Sequence, residues 1–366
     1  MRRKKIAVVG HISLDITPKF HNSASQKVGE LLKAGKLVDV GQAELSLGGA
    51  VANTGLGLHT LGEDVVLMAK VGKDIFGSIV KQKLEDSGCT IELKEGESDN
   101  TSYTIVIAPK GCDRIFLHSP AANHTFAYSD IVWEKLKDVG YFHFGYPTIM
   151  KQFYREDGEQ LVQLFQKAKE LGLITSLDLS AVDEESEAGH CNWEYILSRV
   201  LPYVDFFVPS IEELAFMLDK KLYEKNQLED DFVHNLSLEE DIKPLATKAL
   251  HYGCKAILLK CGVCGLYLQT KASSEMKEIG DEFEHWGNIE YMQPCFVPEK
   301  VVSATGAGDT SIAAFLKAIM NGYSPKECVE YAAATGACCV TTYDAISGLQ
   351  SFERLRERID AGWKCK

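Results

Sequence analysis

The chain has 366 residues, 45% of them hydrophobic and 25% charged, values that fit an ordinary folded protein and exclude a disordered or fibrous one. Acidic residues outnumber basic ones by 52 to 39, and the formal charge of -13 argues against a nucleic-acid binder with an overall basic face while leaving a local anion site open. The length admits two domains or one large α/β unit with an appended piece, and the reading adopted is a single unit over 1–366.

The N-terminus places Met1-Arg2-Arg3-Lys4-Lys5 ahead of a short apolar run at 6–10, which His11 and Asp15 interrupt. That run is too short for a secretory signal and reads as a buried strand. Residues from about 12 to 47, and again 101 to 117, alternate in polarity, as in Tyr103-Thr104-Ile105-Val106-Ile107. Alternation suits strands with one solvated face, so these segments, up to about residue 120, predict a small sheet standing off the main body. Its outer face is expected to display Ile105 and Ile107 and to pair two copies of the chain as a homodimer. Further apolar runs at 65–71, 141–145, 173–179, 205–208 and 256–260 are separated by helical patterns. One such pattern places Leu161, Leu164, Phe165, Ala168 and Leu171 on one side before Gly172 stops the helix. Strands alternating with helices predict an α/β fold with a largely parallel sheet covered on both faces. The acidic stretch 223–241 and the polar stretch 271–298 read as surface insertions. No segment approaches the roughly 20 apolar residues that span a bilayer, and no membrane partner is expected. The eleven cysteines, from Cys89 to Cys365, read as reduced thiols of a cytoplasmic protein.

The most informative segment is Ser303-Ala304-Thr305-Gly306-Ala307-Gly308-Asp309-Thr310, which runs directly into an amphipathic helix over 311–320. With nothing larger than a methyl group at Gly306, Ala307 and Gly308, the backbone can approach a ligand and aim several N–H groups outward from a helix N-terminus. Such a turn stabilises a phosphate or an oxyanion. A carboxylate at Asp309 repels an anion held there, and its presence is explained if it takes a proton from an attacking hydroxyl. The competing reading is a tight loop with an acid at a helix start, where the helix dipole stabilises it anyway. From the turn alone the two readings are equal.

Two more glycine-rich segments precede this turn. They are Gly48-Gly49-Ala50-Val51-Ala52-Asn53-Thr54-Gly55 and Lys70-Val71-Gly72-Lys73-Asp74-Ile75-Phe76-Gly77. In this order and spacing the three segments resemble the ribokinase-like (PfkB) family of sugar and nucleoside kinases. The resemblance implies a three-layer α/β/α body with a small β-sheet lid, and transfer of a phosphoryl group from ATP to a hydroxyl. It implies Asp309 as the base and Gly306, Ala307 and Gly308 as the anion hole. It also implies Asp15, Asn53 and Asn123 as contacts to substrate, with Gly48 and Gly49 as the hinge between body and lid. A polyol does need convergent acceptors of this kind, although Asp15 alone reads as a turn cap and Asn53 as a helix-end hydrogen bond. The segment Lys260-Cys261-Gly262-Val263-Cys264-Gly265 resembles the family's nucleotide turn, with Lys260 where the family has threonine. Lys260, Gly262, Gly265 and Thr305 are thereby implied at the nucleotide. Cys261 and Cys264 also read as a redox or zinc pair, but no second such pair completes a tetrahedral site.

The sequence departs from the family at two positions. Ser303 stands where an aspartate contributes to a monovalent-cation site, so a potassium requirement is doubtful. In Ser210-Ile211-Glu212-Glu213 a serine replaces the asparagine of the family's magnesium and phosphate motif, while Glu213 is retained and is implied to hold Mg2+ through water. The expected acceptor is a small sugar or sugar-like molecule. Alternatives are a nucleoside, pseudouridine-type included, and a relative that binds ligand without catalysis. Dinucleotide and P-loop enzymes are excluded, because neither glycine fingerprint occurs.

Overall fold

A strand that is apolar at consecutive rather than alternate positions needs cover on both faces, and the runs beginning at Ile6, Val65 and Tyr141 obtain it. The computed structural model describes residues 4–21, 33–109, 115–227, 232–233 and 235–366. In chain order its strands are β1 (Lys5–Gly10), β2 (Ser13–Phe20), β3 (Val40–Gly48), β4 (Asp64–Gly72), β5 (Thr90–Gly96), β6 (Tyr103–Ile107), β7 (Ile115–Ser119), β8 (Tyr141–Gly145), β9 (Ile174–Asp178), β10 (Phe206–Phe207), β11 (Ala256–Lys260), β12 (Leu266–Thr270) and β13 (Glu290–Gln293). Helices of two turns or more are α1 (Ala50–Thr60), α2 (Ile75–Glu85), α3 (Glu159–Glu170), α4 (Trp193–Val200), α5 (Ile211–Leu218), α6 (Lys220–Gln227), α7 (Lys243–His251), α8 (Ala307–Met320), α9 (Pro325–Cys339) and α10 (Phe352–Asp360).

Nine strands form the main sheet in the order β13-β12-β11-β10-β9-β8-β1-β4-β5, parallel from β11 to β5 and antiparallel at β12 and β13. Period-two alternation sorts its side chains between two cores. Ile6, Val8, Val65, Leu67 and Phe206 face α1, α2 and α8 to α10, while Ala7, Val9, Val66, Met68 and Phe207 face α3 to α7. The three-layer α/β/α body is therefore present. In α3, Leu161, Leu164, Phe165 and Ala168 are fully buried, and Gly172 (φ 74°) turns the chain away just beyond the helix. The second sheet has four strands in the order β3-β2-β6-β7, with β2 and β6 parallel and the outer pairs antiparallel.

Two expectations are corrected. The stretch 271–298 is not a surface insertion: it supplies edge strand β13 and the buried side chains Met276, Ile279, Phe283 and Trp286. The Trp286 ring lies 5.7 Å from Phe206 and 6.2 Å from Phe315, beneath the antiparallel end of the sheet. Its apolar residues follow short turns rather than a helical or strand period, which hid them. Within 223–241, Tyr223 and Asn226 are likewise buried, while 228–231 and 234 lie outside the described residues. On the smaller sheet the outward apolar residues are also not those expected. Ile107 is buried and Ile105 partly so, whereas Phe116 and Leu117 of β7 are about half exposed. Among the described residues, no helix is long and apolar enough to cross a membrane.

Trp286→Ala should lower unfolding free energy in a urea titration by about 3–5 kcal/mol, as loss of a buried aromatic does. A change within about 0.5 kcal/mol would return the segment to the surface.

Candidate active site

In an open parallel sheet, ligands bind beyond the carboxyl ends of the strands where neighbouring connections diverge. Here β1 lies between β4 and β8, and the sheet grows in opposite directions from that point. The residues that emerge at this edge are His11 after β1, Tyr146 after β8, Asp178 ending β9 and Lys260 ending β11.

Gly306, Ala307, Gly308 and Asp309 cross the same edge at the start of α8. Gly306 has φ 75° and caps the helix, a conformation that suits glycine and leaves first-turn N–H groups without intrahelical acceptors. A Cβ at Gly308 would lie 3.8 Å from Lys260 Nζ, so that ammonium stands directly beside the turn. Asp309 is buried. Its Oδ2 accepts from Asn53 Nδ2 at 3.0 Å, and the Tyr146 hydroxyl donates to Oδ1 and Oδ2 at 2.8 and 2.9 Å. Burial raises its pKa above the ordinary carboxylate value, against Lys260 and the Tyr146 and Asn53 hydrogen bonds. Ser303 ties the turn from behind. Its hydroxyl accepts from the Thr305 N–H at 3.2 Å and donates to Thr305 Oγ1 at 3.1 Å.

Lys260 is oriented by the β10–β11 register, its N–H donating to the Pro209 carbonyl at 2.9 Å. The side chain crosses the end of β10 to place Nζ 2.6 Å from Asp178 Oδ1. Burial works against the ammonium, but Asp178, Glu213 and Asp309 outweigh it and hold its pKa above the lysine value. Lys260 therefore faces the anion turn, while Gly262 and Gly265, at φ 52° and 113°, form the bend just beyond it. Glu213 sits in the first turn of α5, where Oε2 accepts the Ser210 N–H at 2.7 Å and Ser210 Oγ accepts the Glu213 N–H at 3.2 Å. This capping box positions its carboxylate at the edge of the site. Among the described residues no group of three or more His, Cys, Asp or Glu forms a metal cage. Glu213 as a single hard oxygen donor fits magnesium, which retains water and phosphate ligands.

Across the crevice, β2 carries Asp15, whose Oδ1 accepts from Ser13 Oγ at 2.9 Å. A Cβ at Gly48 would overlap the Asp15 carboxylate, and one at Gly49 (φ 86°) would overlap His11. The glycine pair is thus required by close approach as well as by the bend between β3 and α1. Burial pushes the Asp15 pKa up to about 6, opposed by the Ser13 and Thr104 hydrogen bonds and aided by Asp309. His11 Nε2 meets His118 Nε2 of β7 at 3.2 Å, joining the two sheets over the pocket. Burial lowers both imidazoles, His118 to about 4, so the pair is neutral near pH 7. Asn123 has a different task from the one expected. Fully buried, it donates from Nδ2 to the Ile12 carbonyl at 2.8 Å and accepts the Ile12 N–H at 3.2 Å, locking the entry to β2 rather than facing a substrate.

Sequence reasoning missed Tyr146, Asp178, His11 and His118. A signal existed for Asp178, an acid inside the apolar run 173–179, and for Tyr146, the first residue after a parallel strand. The two histidines carry no local signal, since only sheet placement brings them together.

Residues 3–351 match the pfkB family of carbohydrate kinases. The chain is 22% identical over 362 residues to the 5-dehydro-2-deoxygluconokinase of Clostridium beijerinckii, covering 98% of this chain and 93% of that protein. It is 24% identical over 353 residues to an Arabidopsis thaliana ribokinase, covering 94% and 78%. The structure of Arabidopsis thaliana ribokinase with ribose and ATP superposes with a TM-score of 0.70 at 21% identity over 98% of each chain. Thermotoga maritima ribokinase does so with 0.69 at 22% identity, covering 97% and 99%.

A carboxyl raised from 3.8 to about 6 in the fold favours the folded state while protonated, and that advantage disappears as pH rises through about 6. The stability of the wild type relative to Asp15→Asn should therefore fall by about 2 kcal/mol between pH 4 and pH 7 in chemical denaturation. A difference independent of pH would place Asp15 in water.

Proposed function

The chain belongs to the pfkB family of carbohydrate kinases, and on that premise we propose that it transfers the γ-phosphoryl group of ATP to a hydroxyl of a small sugar or sugar-like acceptor, with Asp309 as general base. The observation that carries this reading is the placement of a buried, pKa-raised carboxylate within one helical turn of an anion-binding backbone turn. A base whose pKa is lifted towards neutrality accepts a proton from an alcohol more readily than an ordinary aspartate does. The acceptor lies between Asp15 and Asp309, with Asn53 and the His11–His118 pair lining its pocket. Its hydroxyl oxygen attacks the γ-phosphorus, its proton passes to Asp309, and ADP leaves with the electron pair of the broken bond. N–H groups of residues 306–308 and the Lys260 ammonium stabilise charge on the transferring group. Magnesium, when bound, neutralises phosphate charge, and Glu213 would hold it through water. Gly262, Gly265 and Thr305 border the nucleotide. The smaller sheet acts as a lid that excludes water during transfer.

Asp15, Asn53 and Asp309 offer convergent polar groups to several hydroxyls, which favours a polyhydroxylated acceptor. ADP release should be measured with hexoses, pentoses, keto-deoxy acids and nucleosides as acceptors. Turnover of a sugar or sugar acid is expected, and Asp309→Asn should reduce it by about 10²–10⁴-fold with ATP binding retained. Turnover of nucleosides alone would replace the sugar reading, and an Asp309→Asn rate within a few-fold of wild type would remove the base.

Ser303 restrains the turn with a neutral hydroxyl, which needs no counter-ion. Turnover should change less than about twofold when potassium is exchanged for a large organic cation at constant ionic strength. Saturable activation specific to potassium would contradict this.

A further inference from the structure

Tyr146 has a geometry that holding a nucleotide or a sugar does not require. Its backbone is left-handed, with φ 69° and ψ 41°, although it is an aromatic residue followed by Pro147, a context that favours extended backbone. Such strain persists only where the surroundings enforce it, and here it directs the phenol into the site. The hydroxyl donates to both oxygens of Asp309, at 2.8 and 2.9 Å. Asn53 donates to Oδ2 at 3.0 Å, and Thr54 Oγ1 approaches Oδ1 at 3.4 Å. A phenol has a single proton, here shared between the two oxygens, so the phenol stands in front of both and bars an acceptor hydroxyl from that side of the carboxylate. Asn53 and Thr54 are fixed in buried helix α1, whereas Tyr146 stands on a turn. The phenol is the donor able to yield.

We propose that Tyr146 is a positioning residue that masks the Asp309 carboxylate until an acceptor hydroxyl displaces it, and so keeps water from taking the acceptor's place. This rests on Asp309 being the base. In the suppressed side reaction, a water oxygen would bond to the γ-phosphorus while its proton passed to Asp309. The bond from the γ-phosphorus to the bridging oxygen would break, leaving ADP with the electron pair and free phosphate. A mask on the base slows this idle hydrolysis, whereas a productive acceptor, bound by Asp15 and Asn53, has the contacts to displace it.

The carboxyl groups of Asp15, Asp178 and Glu213, the Lys260 ammonium, the Cys339 thiol and the Tyr146 phenol surround Asp309. The phenol's hydrogen bond lowers the Asp309 pKa within this group. The test is Tyr146→Phe, which keeps the ring and removes the donor, with Tyr146→Leu as a second variant. ATP hydrolysis without acceptor should rise about tenfold, the scale of one hydrogen bond to a charged group. Asp309→Asn in the Tyr146→Phe background should remove that rise. The acid limb of kcat/KM, which reports the free enzyme, should move to higher pH. The acid limb of kcat should not move, because the phenol has already left Asp309 in the complex. Unchanged or slower idle hydrolysis in a folded variant, or equal shifts of both limbs, would overturn the proposal. If single Asp309→Asn abolishes acceptor turnover while Tyr146→Phe leaves hydrolysis unchanged, only the mask fails. If Asp309→Asn leaves acceptor turnover intact, the base assignment itself fails.

Discussion

The site depends on one buried ion pair. Lys260 brings its ammonium to 2.6 Å from Asp178, in a neighbourhood that also holds Glu213 and Asp309. Three carboxylates beside a turn whose N–H groups point outward would repel any anion there, and burial favours their protonated forms. One ammonium opposes this without cancelling it, since burial still raises the pKa of Asp178 and of Asp309, and its own desolvation is compensated because Asp178 meets it at hydrogen-bond distance. The pair also fixes direction. A lysine free to reach solvent would leave Gly308, whereas this one is held beside it by the ends of two parallel strands.

The smaller sheet joins the body through apolar and polar contacts together: Leu14, Ile16, Leu47 and Tyr103 pack into the core that α1 and α2 cover, and hydrogen bonds pin the same junction. Asp74 caps α2 by accepting the Gly77 N–H and also accepts the Thr101 N–H and hydroxyl, each at 2.7 Å. These donors outweigh the burial that opposes ionisation and lower its pKa. Asn123 grips the Ile12 backbone in the same manner, and His11 meets His118 above the pocket. Hydrogen bonds of this kind define a position without the penalty of exposing a large apolar area when broken. The sequence motif around Asp74 is explained by this clamp between α2 and the entry to β6.

One strained backbone position lies at the site itself. Tyr146 occupies left-handed backbone at the carboxyl end of β8, a conformation that costs an aromatic residue about 1–3 kcal/mol. Its hydroxyl meets the same carboxylate that Asn53 and Thr54 reach from α1. Ser303 shows the opposite economy: one hydroxyl fixes the loop before α8 through local hydrogen bonds.

The parallel sheet, its helical cover, the smaller sheet and the anion turn were all legible in the sequence, because each rests on periodicity or on glycines whose spacing is local. Asp309 was legible in its turn as one of two equal readings, while Asp15 and Asn53 were singled out only by the family resemblance, since alone they read as a turn cap and a helix-end hydrogen bond. Lys260 was legible as a residue but not as a charge beside Gly308, since 48 positions separate them along the chain and only strand order closes the gap. Trp286 and Phe283 were hidden in a polar stretch because their burial is decided by the sheet edge they cover. Asn123 read as a ligand contact until its two hydrogen bonds to Ile12 gave it a structural partner 111 residues away. The bond between Tyr146 and Asp309 and the pairing of His11 with His118 belong wholly to the tertiary structure. Local pattern determines which elements form and which turns can bind an anion, while the pairing of polar groups distant in sequence is fixed only when packing brings their elements together.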